Sequence, residues 1–196
     1  AEVCDLVGAG RPVNLVGHSL GGLVARETAL SKTTELLSLT LMCSGPGAFS
    51  GEGAARVRAV IAALADDPTP ERLRELWEEH VERETAQRVA DHEIREFLRE
   101  RLLAGSPEGL LRLAENLLHA DDRVAELAAT GLATFVLYGE NDDGWPLEQQ
   151  DDMAARLGAE RVVVPGAGHS PNVEAPETTS SALTAFWNKT EAVGPR

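Results

Sequence analysis

The sequence predicts an α/β fold in which a parallel sheet is flanked by helices and interrupted by an all-helical insertion. Three observations carry this. Short apolar runs of strand length, "PVNLVG", "LLSLTLMCS", "ATFVLYG" and "RVVVPG", alternate with stretches of helical periodicity. The central runs are almost wholly apolar, as expected for parallel strands covered on both faces. Between the second and third runs, from about Phe49 to Thr130, there is helical periodicity rich in Arg and Glu and no strand signal. The expected organisation is core over 1–48, helical insertion over 49–130 and core again over 131–196.

The opening stretch "AEVCDLVGAG" puts Val3, Leu6 and Val7 on one helical face and ends at Gly8 and Gly10, common helix stops. "PVNLVG" follows as a buried strand, and a helix runs from Ser19 to about Ser31, with Leu20, Leu23 and Val24 in register. Residues 36–44 give the next strand, completing a β-α-β unit. In the insertion, Val57, Val60, Ile61 and Leu64 form one apolar stripe, and Leu73, Leu76, Trp77 and His80 form another. Thr69-Pro70 and Ser106-Pro107 each read as an N-cap followed by proline at the first helical position. Strands at 133–139 and 161–166 then enclose a helix from about Pro146 to Leu157. A last helix from about Pro176 to Asn188 carries Leu183, Phe186 and Trp187 at core spacing.

Charge narrows the function. Eighteen Lys and Arg against 32 Asp and Glu give a net charge of -14, which would repel a polyanion, so a nucleic-acid partner is disfavoured. Cys4 and Cys43 have neither metal-ligand nor disulfide-framework spacing and read as free thiols in a reducing compartment. His80, His92 and His119 lack the i, i+4 pairing of a metal site and read as solvated or half-buried surface histidines, so no metal or other cofactor is expected. No apolar run approaches the roughly 18 residues of a membrane span, and acidic Glu2 and Asp5 are unlike a signal-peptide start. The expectation is a cytoplasmic protein with no membrane partner.

Chemistry is concentrated at the strand ends. A serine hydroxyl becomes a useful nucleophile when a base removes its proton and a third group fixes that base. Ser19 lies between Gly17 and Gly21 at a strand-to-helix junction, where glycines ease a sharp turn that holds the hydroxyl clear of the sheet. Asp142 follows the third strand in "LYGENDDGWP", with Asp143 as the alternative, and His169 follows the fourth in "VVVPGAGHSP".

The order Ser, Asp, His, each after its own strand, with GHSLGG, GENDD and GAGHS as the motifs, resembles the α/β-hydrolase family, of the lidded bacterial type. The likeness covers the whole chain except the insertion. It implies a partial α/β-hydrolase fold with Ser19 as nucleophile, His169 as base and Asp142 as acid, the acid lying three residues past the strand-end Gly139. It also implies the backbone N–H of Leu20 as an oxyanion donor. A Ser nucleophile disfavours the epoxide hydrolases and haloalkane dehalogenases that share the fold.

The family's second oxyanion donor belongs to a His-Gly loop after an earlier strand, and no such segment is present. The expectation is therefore that the first strands of the sheet are absent, that the chain is a piece of a longer enzyme, and that it is inactive or unstable alone. The implied activity is cleavage of a small-molecule acyl substrate, a carboxylic ester, lactone or thioester. A lyase or a cofactor-free perhydrolase using the same three residues is the alternative, and a non-catalytic remnant is a third reading. Trp145, just past the acid, and Trp77 in the insertion are the candidates for lining a substrate pocket.

Overall fold

A computed structural model describes residues 8–31, 36–88 and 91–193; the expected opening helix over Val3, Leu6 and Val7, and Cys4, lie outside them. Four strands, β1 (Val13–His18), β2 (Leu36–Met42), β3 (Ala133–Gly139) and β4 (Glu160–Val164), form one sheet in the order β1-β2-β3-β4. Every neighbouring pair is parallel, as helical crossovers require. His18 pairs with Met42, Met42 with Leu137, and Gly139 with Val164, so the carboxyl ends of the strands lie side by side. In an open parallel sheet that edge is where sites are built.

The chain divides into two compact units. The first, 1–53 with 119–196, holds the sheet and the helices α1 (Leu20–Ser31), α7 (Val124–Ala129), α8 (Leu147–Leu157), α9 (Pro171–Glu174) and α10 (Pro176–Val193). Its core consists of the middle of β2 and β3, with Leu39, Val136 and Leu137 fully buried, packed with Ala29, Leu127 and Phe186 from helices. Both faces of these two strands are covered, which accounts for their mainly apolar runs, with Ser38, Thr40 and Thr134 as buried exceptions.

The second unit, 54–118, is helical: most of α2 (Gly51–Leu64), then α3 (Pro70–Leu76), a π-helical turn over Trp77–Val81, α4 (Glu82–Arg88), α5 (His92–Leu103) and α6 (Pro107–His119). Leu64, Leu73 and Leu76 form its centre, backed by Val60, Leu102 and Leu110. The two Pro-headed starts fold as expected: Thr69 Oγ1 accepts from the Arg72 N–H at 3.2 Å and Ser106 Oγ from the Gly109 N–H at 3.1 Å. His80 is 67 % exposed, as a surface histidine, and leaves the apolar stripe on which its spacing placed it because the π turn rotates the residues after Trp77 away from the α-helical register.

Two strand ends also differ from expectation. β2 stops at Met42 because Cys43 takes a positive φ of 47°. β4 runs from Glu160 to Val164 and not to Gly166: Pro165 has no N–H to continue a ladder, and Gly166 turns the chain at φ 72°. Among the described residues no helix is long and apolar enough to cross a membrane.

Candidate active site

Ser19 stands alone between the last residue of β1 and the first of α1, with φ 55°. A non-glycine residue in this left-handed region costs about 1 to 3 kcal/mol and persists only where its surroundings hold it. Its N–H donates to the Met42 carbonyl on β2 at 2.9 Å, and its carbonyl accepts from the Gly22 N–H at 2.9 Å. The glycines act by leaving space. A Cβ on Gly17 would lie 2.4 Å from the Gly21 carbonyl oxygen, and one on Gly22 would lie 2.3 Å from Ser44 Oγ. Gly21, expected to matter for the turn, has nothing within 4 Å of a built Cβ; the crowded second position is Gly22.

The loops after β3 and β4 bring two further side chains to Ser19. His169 Nε2 lies 2.9 Å from Ser19 Oγ, and His169 Nδ1 lies 2.6 Å from Asp142 Oδ1. An ionised carboxylate only accepts, so Nδ1 carries the proton and donates to Asp142, leaving the Nε2 lone pair to accept from the Ser19 hydroxyl. Asp143, the alternative acid, is exposed, whereas the Asp142 side chain is wholly buried. Burial pushes the Asp142 carboxyl up, but hydrogen bonds from His169, the Gly144 N–H at 3.0 Å and Gln150 Nε2 at 2.8 Å outweigh it. The net effect holds it below the ordinary range, so it is a carboxylate at neutral pH.

Sequence reading missed the groups that hold these three in place. Gln150, on α8 and fully buried, joins Asp142 Oδ2 to the Trp145 carbonyl. Gly144 packs flat against the imidazole: a Cβ there would lie 2.5 Å from His169 Cε1. His18, beside the serine, donates from Nε2 to the His169 carbonyl at 2.6 Å, tying the end of β1 to the loop after β4. Glu174 accepts from the backbone N–H groups of Gly168 and Ser170, bracing that loop from α9. One local signal was available for Glu174: Ser170-Pro171 marks the start of a helical turn, and Glu174 lies in that turn.

Among the described residues one group of donors has metal-ligand proximity: Cys43, Asp142 and His169, with ligand atoms within 4.8 Å of one another. Burial, and then the Asp142 charge, push the Cys43 thiol far up, away from the thiolate that a metal needs. The His169 nitrogen and Asp142 oxygen are also committed to each other.

The remaining candidates fall in different places. Leu20 opens α1, so its N–H is among the first-turn amides that have no carbonyl partner within the helix. Trp145 is fully buried; its ring packs against Phe49 with centroids 4.1 Å apart and Nε1 donates to the Gly47 carbonyl at 3.0 Å. It is a core residue beneath the acid loop rather than an open pocket wall. Trp77 lies in the helical unit, against a cavity described below.

The sheet and this strand-end arrangement define an α/β-hydrolase fold, and residues 1–182 match the model of the alpha/beta hydrolase family. The chain belongs to that family. It is 30 % identical over 175 residues to 2-succinyl-6-hydroxy-2,4-cyclohexadiene-1-carboxylate synthase of Enterobacter sp. (strain 638), covering 86 % of this chain and 64 % of that protein. The chain thus spans somewhat less than two thirds of this curated relative. Among solved structures it is similar to a thermophilic esterase from Thermogutta terrifontis, with TM-score 0.74 and 28 % identity over 96 % of this chain and 69 % of that one. MenH from S. aureus shares the fold with TM-score 0.75 and 19 % identity, over 97 % and 74 % of the two chains.

Proposed function

We propose that the protein is a serine hydrolase that cleaves a carboxylic ester, lactone or thioester through an acyl-enzyme. The observation that carries the reading is the continuous series Ser19 Oγ, His169, Asp142, at 2.9 and 2.6 Å with the carboxylate buried and ionised. In this reading His169 takes the Ser19 proton as Oγ attacks the acyl carbon. Asp142 stabilises the imidazolium, and the N–H of Leu20 donates to the oxyanion. His169 then protonates the leaving group, and water repeats the sequence on the acyl-enzyme. The esterase likeness supports this assignment.

A second reading has its own support in the synthase relative. There the Ser19–His169 pair takes a proton from the substrate and no acyl-enzyme forms, since one fold and one set of side chains can serve different reactions.

A fluorophosphonate separates these readings from a non-catalytic one. The expected result is a single covalent adduct on Ser19, found by peptide mass spectrometry, that is lost in Ser19→Ala and strongly slowed in His169→Ala. Labelling elsewhere, or at an unchanged rate without His169, would sink both readings. A series of p-nitrophenyl esters of increasing acyl length then divides them: a burst of nitrophenol equal to the enzyme concentration marks the acyl-enzyme of the hydrolase reading.

A further inference from the structure

The helical unit contains a cavity of about 570 Å³ bounded by its own residues, within the ordinary range for small-molecule sites. Its wall is apolar on three sides: Leu73, Trp77 and Val81 from α3 and the π turn, Leu98 and Leu102 from α5, and Leu110 from α6. Gly109 keeps the α6 side low.

Thr85, Ser106 and Arg101 break this wall with polar groups. Trp77 is only 4 % exposed, and its indole Nε1 has no hydrogen-bond partner, an uncompensated buried donor. Arg101 is the single charged residue of the lining, and among the described residues its guanidinium forms no ion pair or hydrogen bond. The π turn contributes to the wall: its i to i+5 bond, Glu82 N–H to the Trp77 carbonyl, sets Trp77 and Val81 on the same side. Single π turns inside α-helical stretches occur often at binding sites.

An apolar wall with one unpaired cation calls for a ligand with a long apolar body and an anionic head with acceptor oxygens. We propose that this cavity binds a straight-chain aliphatic carboxylate of medium length. Its chain lies along the leucines, and its carboxylate accepts from Arg101. The site is built from the helical unit alone and does not depend on the chemistry of Ser19.

The test uses the full chain carrying Ser19→Ala, so that turnover plays no part, titrated by calorimetry with decanoate and with decanol. Saturable binding of one decanoate per chain is expected. Leu110→Trp, which fills the cavity, should weaken it at least tenfold. Arg101→Gln, at an exposed position where folding is not at risk, should weaken decanoate about tenfold and leave decanol unchanged. Absence of saturable binding, or binding of decanoate that is unaltered by both Leu110→Trp and Arg101→Gln, overturns the proposal. The phosphonate label on Ser19 is read separately, so the hydrolase reading stands or falls on its own.

Discussion

At the scale of single residues, the site depends on contacts that short motifs do not encode. Gly144 is the sharpest case, because the imidazole of His169 occupies the space a side chain would need. Gly144→Ala should push the ring away from Ser19 while leaving the buried core untouched. A displacement of about 1 Å at a reacting group costs about 100-fold in rate. On the proposed hydrolase reading, the expected outcome is a kcat for ester hydrolysis lower by about that factor, with KM and the urea midpoint little changed; wild-type kcat in this variant would refute the contact.

Asp142 offers a test with a definite sign. Its carboxyl is held below its ordinary 3.8 in the folded protein, so the interaction contributes stability above that pH and loses it as pH falls through the lower folded value. The stability gap between wild type and Asp142→Asn, read by urea unfolding, should therefore be wide at pH 7 and shrink toward pH 3. A gap that stays constant would mean that burial, and not ionised hydrogen bonding, sets the role of this residue. Ser19, Asp142 and His169 were legible because each follows a strand-end pattern within a few residues. Gln150 and His18 were not, since a polar residue within a helix or strand shows no partner until the fold brings one 8 or 151 positions away.

At the scale of elements, strand identity was readable and strand ends were not. β2 and β3 are covered on both faces and so appear as mainly apolar runs, but the end of β2 is set by backbone conformation at Cys43 and that of β4 by Pro165 and Gly166. The π turn at Trp77 was invisible for a related reason: a one-residue change of register leaves the apolar spacing nearly intact. The strand-to-helix turn after β1 provides the contrast that tests this account. Gly17→Ala would force a Cβ against backbone atoms at 2.4 and 2.6 Å, and should lower stability by at least about 2 kcal/mol. Gly21→Ala meets open space within α1 and should raise stability by about 0.5 to 1 kcal/mol, because alanine loses less backbone entropy in a helix. Urea unfolding of both variants decides it; equal effects would show that the motif's glycines are interchangeable and that the crowding around Gly17 is relieved by simple adjustment.

At the scale of the whole molecule, two opposing effects act on association. Among the described residues β1 is an edge strand, paired with β2 on one side, and its Val13, Leu15 and Val16 are only partly buried. Unpaired edge N–H and C=O groups beside apolar side chains favour pairing with a second chain. The net charge of -14 opposes this, since two copies repel over the Debye length, about 30 Å at 0.01 M salt and about 3 Å at 1 M. Charge should win in dilute buffer and edge pairing in strong salt. Sedimentation velocity of the 196-residue chain is therefore expected to show monomer at 10 mM NaCl and a growing dimer or larger species at 1 M. Leu15→Lys should suppress that growth by adding charge to the edge, a device natural sheets use against pairing. If the chain stays monomeric at every salt concentration, the β1 edge is not free to pair. If association instead weakens with salt, it is electrostatic and involves a different surface.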